Sequence, residues 1–165
     1  MGIVEIAEEM EYLSKHRVEI GILAIDRERK GKDNKATILE YAIWNEYGTK
    51  HIPPRPFMQH AIDSNQDMIK KLINGKLQEV LAGSITGRVA LMQIGETIRG
   101  MIIASIASAS SWAKPNKTST LKQKLKNEQE NNDKPLIDNR FLIKAIRWQL
   151  LENGRVIYVS DFAEV

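Results

Sequence analysis

The sequence predicts an α+β fold: an antiparallel sheet that includes a C-terminal hairpin, flanked by two long helices, with one long polar loop. Three observations carry this expectation. Lys144 to Leu151 and Arg155 to Ser160 alternate apolar with polar residues around Asn153-Gly154, the strongest two-residue signal for a type I′ hairpin turn. Val18 to Ile25 (VEIGILAI) is rich in β-branched residues and too short for a confident helix, so it reads as a strand buried on at least one face. Much of the chain between these segments carries apolar residues at helical spacing.

Taken in order, Ile3, Ile6, Ala7, Met10 and Leu13 recur at helical spacing among Glu5, Glu8, Glu9 and Glu11. They give an amphipathic first helix with its acids in the early turns, where the helix dipole favours them. After the strand comes a turn rich in charge and glycine over 26–34, then a helix from about Ala36 to Tyr47 with the stripe Ile38, Leu39, Ala42 and Ile43. Gly48 stands where a C-terminal cap is expected. Pro53, Pro54 and Pro56 fix φ and remove amide donors, so the chain beyond Ile52 is extended and stiff, close to polyproline II.

From Phe57 one long helix is expected as far as Leu81, with Pro56 suited to its first turn. Gly75 costs it about 1 kcal/mol relative to alanine and marks the expected kink or break. Gly83, Ser84 and Thr86 then lead to a helix over Ile85 to Ala109, whose Gly95, Gly100, Ala104, Ser105, Ala107 and Ser108 permit close approach of a neighbour. A short helix or turn near Asn139 to Ile143 enters the hairpin, in which Ile146, Trp148 and Leu150 point one way and Val156 and Tyr158 can share a face. Two strands alone are marginal in water, so the hairpin is expected to join Val18 to Ile25 in one sheet.

A chain of 165 residues, 42% hydrophobic and 27% charged, fits a single domain over 1–165 with its own core. It has no cysteine, which excludes disulfides, thiolate metal sites and a cysteine nucleophile. The longest apolar run, Met101 to Ile106, is far short of the roughly 20 residues a spanning helix needs. The acidic start MGIVEIAEEMEYL is the reverse of a signal peptide, and the expectation is a cytosolic product without membrane contact. Between Lys114 and Lys134 six lysines (Lys114, Lys117, Lys122, Lys124, Lys126, Lys134) face Glu128, Glu130 and Asp133, so this segment alone matches the chain's net charge of +3. Its Asn, Thr, Ser and Gln content suits a flexible loop, expected to order only on assembly.

Little argues for catalysis. His51 and His60 are nine residues apart across a rigid proline segment and His16 is distant, so no pair has metal-binding helical spacing, and the three read as solvent-facing or capping residues. Gly83-Ser84-Ile85-Thr86-Gly87 lacks the Gly-Lys-Ser/Thr ending of a phosphate loop and reads as a helix connection. Paired acids such as Glu8 and Glu9 sit on polar faces with nothing nearby to perturb them. The chain therefore reads as a non-enzyme with no cofactor. A cytosolic nucleic-acid-binding protein, using the lysine-rich loop on phosphates, is the competing class.

The most individual stretch is Asn45-Glu46-Tyr47-Gly48-Thr49, continued by Pro53-Pro54-Arg55-Pro56-Phe57. A helix stop, a stiff link and an aromatic anchor account for all of it except Arg55. A guanidinium in that apolar setting is expected to meet a carboxylate, with Glu46 the nearest candidate. These residues resemble the signature of small tail-completion or neck proteins (head–tail joining, virion morphogenesis) of tailed bacteriophages and prophages, including the virion morphogenesis proteins of Mu-like phages. Trp112 with Pro115 and the run Thr118 to Lys124, then Lys134-Pro135-Leu136-Ile137-Asp138 with Leu142 and Ile146, resemble the family's downstream elements. Asn139-Arg140 stands where that family usually has Thr-Gly, and Ala145 where it has serine. The resemblance spans about Val18 to Val159.

It implies an antiparallel sheet flanked by helices and a structural role in the virion neck. The partners it implies are further copies in a hexameric or dodecameric ring, head connector or adaptor and tail terminator proteins, and genomic DNA passing through the lumen. Assembly would take place in the host cytoplasm.

Overall fold

Helix α1 (Ile3–Lys15) runs directly into strand β1 (His16–Ile22), and His16 closes the helix with its Nδ1 2.7 Å from the Tyr12 carbonyl oxygen and its ring stacked on Tyr12. The computed structural model describes residues 2–30, 36–118, 121–122, 136 and 141–162. Among these, the remaining elements are α2 (Ile38–Tyr47), α3 (Phe57–Ser64), α4 (Gln66–Leu81), α5 (Gly87–Ala107), α6 (Ala109–Trp112), α7 (Phe141–Ala145), β2 (Ile146–Glu152) and β3 (Arg155–Val159). The fold is α+β, and the described residues form seven helices and a three-stranded antiparallel sheet in the order β1-β2-β3.

The hairpin joins the first strand as expected. Every residue of β1 has a partner in β2, from His16 opposite Glu152 to Ile22 opposite Ile146. Asn153 (φ 48°) and Gly154 (φ 84°) both hold the positive φ that a type I′ turn demands. The β2–β3 register shifts between Leu150 and Leu151, so the alternation expected of β3 is broken by an irregularity.

Helix α5 lies against β1 and β2 and also meets α1, α3 and α4. Gly95 explains its close approach: a Cβ there would sit 2.8 Å from Val18 Cγ2 and 3.0 Å from the Trp148 ring. Gly100, by contrast, faces open space. Arg99, buried in the middle of α5, donates from Nε to the Ile146 carbonyl (3.0 Å) and pairs with Glu96, which also accepts from Trp148 Nε1 (2.7 Å). Among the described residues α5 alone is long and apolar enough to cross a membrane by length and composition. Its central packing in the domain accounts for that apolar character. The core joins Ile38 and Ala42 of α2, Phe57 and Ala61 of α3, Ile102 and Ile106 of α5, Leu136, and Leu142 to Ile146 except Lys144.

Two expectations need correction. The helix beginning at Phe57 is two helices, and the break falls at Asn65 (φ −119°, ψ 14°), not at Gly75. The Asn65 amide Nδ2 donates to the Ala61 carbonyl (2.7 Å), so a side chain replaces the backbone bond that would have continued the helix. Gly75 lies inside α4 with open space around it. Glu9 is not an idle surface acid: its Oε2 accepts from the Gly87 amide (2.6 Å) and caps α5 across the helix–helix contact.

Candidate functional site

The stretch singled out in the sequence folds into a tight switchback. Thr37 starts α2 with a capping box, its hydroxyl accepting from the Glu40 amide while Glu40 reaches back to the Thr37 amide. The helix ends at Gly48 (φ 77°), where a Cβ would lie 2.9 Å from Pro54 Cδ, so only glycine lets the returning proline segment pass this close. The Thr49 hydroxyl accepts from the amides of His51 and Ile52, and the Thr49 amide donates to the Ile52 carbonyl. The Arg55 amide then closes the loop on the Asn45 carbonyl at 2.6 Å, while the Asn45 side chain donates to the Tyr41 carbonyl. Pro53, Pro54 and Pro56 carry the chain back, and Phe57 enters the core with no exposed surface.

Glu46 and Arg55 do not pair with one another as the sequence suggested. The Glu46 carboxylate accepts from the amides of Met58 (3.0 Å) and Gln59 (2.9 Å), two of the unsatisfied donors at the start of α3, where the helix dipole also favours an anion. Arg55, only 7% exposed, donates from Nε to the Lys114 carbonyl (2.7 Å) and from Nη2 to the Pro115 carbonyl (3.0 Å). A planar fork of donors suits two adjacent carbonyls as well as it suits a carboxylate. Burial of this cation pulls its pKa down from the ordinary arginine value, with Tyr41 opposing.

The fork joins the switchback to the start of the lysine-rich segment. Lys117 strengthens the junction by donating from Nζ to the His51 carbonyl (2.7 Å). Beside it, His60 stacks on Trp112 with ring centroids 4.0 Å apart, and its Nδ1 lies 3.0 Å from Ser105 Oγ. Ser105 Oγ donates to the Phe57 carbonyl (2.9 Å), and Trp112 Nε1 donates to the Ser105 carbonyl (3.0 Å). The switchback, α3, α5 and the start of the lysine-rich segment therefore form one bonded unit.

Lys114, Lys117 and Lys122 are exposed, and Leu136 is buried in the core at φ 62°. Lys124, Lys126, Lys134, Pro135, Ile137 and Asp138 lie outside the described residues, as does most of the segment expected to order on assembly.

An open groove of about 270 Å3 runs between His60, Asn65, Met101, Ala104 and Ser108, where His60 Nδ1 meets Ser105 Oγ, Asn65 donates to the Ala61 carbonyl and Ser108 donates to the Ser105 carbonyl. Among the described residues no group of three His, Cys, Asp or Glu side chains could hold a metal ion. Of the solvent-facing or capping roles expected of the histidines, His51 is exposed and His16 caps α1, whereas His60 is half-buried.

Sequence reasoning missed two further buried cations, Arg99, described above, and Arg147. Arg147 pairs with Asp26 (2.8 Å), donates to the Ser160 carbonyl and lies under the Phe162 ring (4.3 Å). Alternation along β2 marks Arg147 as outward, and nothing local signals its cover. No protein-family model, curated protein or solved structure matches the chain.

Proposed function

We propose that this chain is a structural protein of a phage virion, one subunit of a ring in the neck that completes the tail and joins it to the head connector. The observation that carries the reading is the Arg55 fork, which binds the NEYGT…PPRPF segment to the start of the lysine-rich segment 59 and 60 residues away. The first motif and the start of the second, at Lys114 and Pro115, are thus bonded into one element, as a part that must present a fixed surface to neighbours requires. Head-to-tail contacts between copies close into a ring when their rotation closes. The partners beyond the ring are the head connector or adaptor and the tail terminator, with the genome in the lumen.

Native mass measurement tests this directly. A closed hexamer or dodecamer is the expected result. A monomer or dimer that binds DNA with strong salt dependence would transfer the function to the nucleic-acid-binding class. In the phage itself, loss of the gene should leave complete heads and tails that fail to join.

A further inference from the structure

Asn-Gly occurs twice in the chain, at 74–75 and 153–154, and the fold places the two in opposite settings. Asn74-Gly75 lies in the interior of α4, a helix of 16 residues. Asn153-Gly154 forms the exposed turn beyond the last ladder pair of the hairpin, Glu152 opposite Arg155, with φ of 48° and 84°. The chemistry of this dipeptide depends on that difference. A glycine after asparagine puts no Cβ in the way of its own amide nitrogen, which can attack the asparagine carboxamide carbon.

We infer that Asn153 is a site of spontaneous deamidation, selected over Asn74 by the fold. The Gly154 nitrogen gives up its proton and forms a bond to Asn153 Cγ, while the side-chain nitrogen takes up a proton and leaves as ammonia. Water then opens the resulting succinimide ring at either carbonyl. Opening at the backbone carbonyl gives isoaspartate, whose main chain runs through the former side chain and is a methylene longer; opening at the other gives aspartate. Nothing is oxidised or reduced, and water is the co-reactant.

Ring closure requires the asparagine backbone to rotate out of its native dihedrals and the following amide to be free. At Gly154 both conditions are met by opening the outermost pair of a hairpin whose ladder is already irregular between Leu150 and Leu151. At Gly75 they require unwinding the middle of α4, because an amide there donates to the carbonyl four residues back. A Cβ at either glycine would meet open space, so backbone conformation and not crowding separates the two sites.

The product acts on the α1–β1 junction. The Asn153 amide donates to the Lys15 carbonyl (2.9 Å), and Glu152 Oε1 stands 3.7 Å from His16 Nε2. An added methylene displaces that amide, and a new carboxylate beside Glu152 sets two acids side by side. Age alone thus loosens the end of α1 from the hairpin, whether or not copies close into a ring.

The full chain is incubated in mildly alkaline buffer, folded and in concentrated urea, until the urea sample has converted at both dipeptides. Peptides from an acid digest are then resolved by mass and by labelling with an isoaspartyl methyltransferase. In urea the two sites should convert at similar rates. In the folded chain Asn153 should convert at least about tenfold faster than Asn74, equivalent to about 1.4 kcal/mol between the two openings. Equal rates in the folded chain, faster conversion at Asn74, or an Asn153 that stays intact while folded would overturn the inference.

The converted chain carries an added negative charge and separates by ion exchange. Isoaspartate at position 153 should speed exchange of its own amide and lower Tm by about 2–4 °C. Asn153→Asp carries the charge without the extra methylene and still suits the turn, so it should move Tm less. A converted chain with unchanged exchange and Tm would overturn the effect on the junction.

Discussion

Truncating Glu46 and Arg55 singly and together separates the arrangement seen here from the direct ion pair the sequence suggests. Arg55→Ala removes two hydrogen bonds from a cation that is 7% exposed. Hydrogen bonds to charged groups contribute about 1.5–3 kcal/mol each, and relief of the guanidinium's desolvation offsets part of that, so the net cost is about 2–4 kcal/mol. Glu46→Ala removes the cap on the Met58 and Gln59 amides, a loss of about 1–2 kcal/mol. The two side chains share no bond, and the Arg55 amide keeps its contact with the Asn45 carbonyl in every variant. The coupling energy should therefore stay within about 0.5 kcal/mol. Urea unfolding of the four proteins at constant m measures it, and each 1 kcal/mol should move Tm by about 2–4 °C in a chain of this size. A coupling of about 1.5 kcal/mol or more would refute the reasoning, because only a direct or bridged pair produces it. Arg55→Lys should recover only part of the loss, since a single ammonium lacks the planar fork that spans two carbonyls.

Three further outcomes follow from named contacts. Gly95→Ala should be less stable than Gly100→Ala by about 1–3 kcal/mol in thermal unfolding, because both gain the same helix propensity and only Gly95 faces Val18 and Trp148; equal stability would mean that the helix–sheet contact is loose. Glu9→Ala should cost about 1 kcal/mol and speed exchange of the Gly87 amide, and an unchanged exchange rate would remove the cross-helix cap. The Glu40 carboxyl, held below its ordinary 4.5 by the Thr37 amide and then by the Thr37 hydroxyl, supports α2 fully above the ordinary carboxylate range and loses that support as pH falls through its lowered pKa. Proton NMR titration should place its midpoint below 4.5 and move it upward in Thr37→Ala; a midpoint at or above 4.5 in the wild type would argue against the box.

The parts of the fold that were legible are those whose physics is local. Asn153-Gly154 needs positive φ at both positions, and few other pairs tolerate that, so the hairpin could be read from two residues. Gly48 announces a helix end for the same reason. The break at Asn65 was hidden because asparagine is ambiguous: Asn74 sits inside α4 without ending it, whereas Asn65 turns its amide back onto the Ala61 carbonyl. Propensity pointed to Gly75 instead, but a cost of about 1 kcal/mol is easily absorbed by a helix of 16 residues packed against its neighbours.

The candidate site shows a deeper limit. Burial of a cation can be read from its apolar, proline-bound setting, but its acceptors cannot when they are backbone carbonyls, because every residue carries one and no side-chain type marks it. Glu46 looked like the partner only because it was the nearest carboxylate in sequence. The correction bears on assembly. With Glu46 committed to the N-terminus of α3, whose partial positive charge offsets it, the Arg55 cation has no carboxylate of its own among the described residues. Arg55, Lys50, Lys114 and Lys117 then give the C-terminal end of α2 a positive field beside exposed Tyr47. An ion pair between Arg55 and Glu46 would have cancelled part of that field and left the start of α3 without its anion.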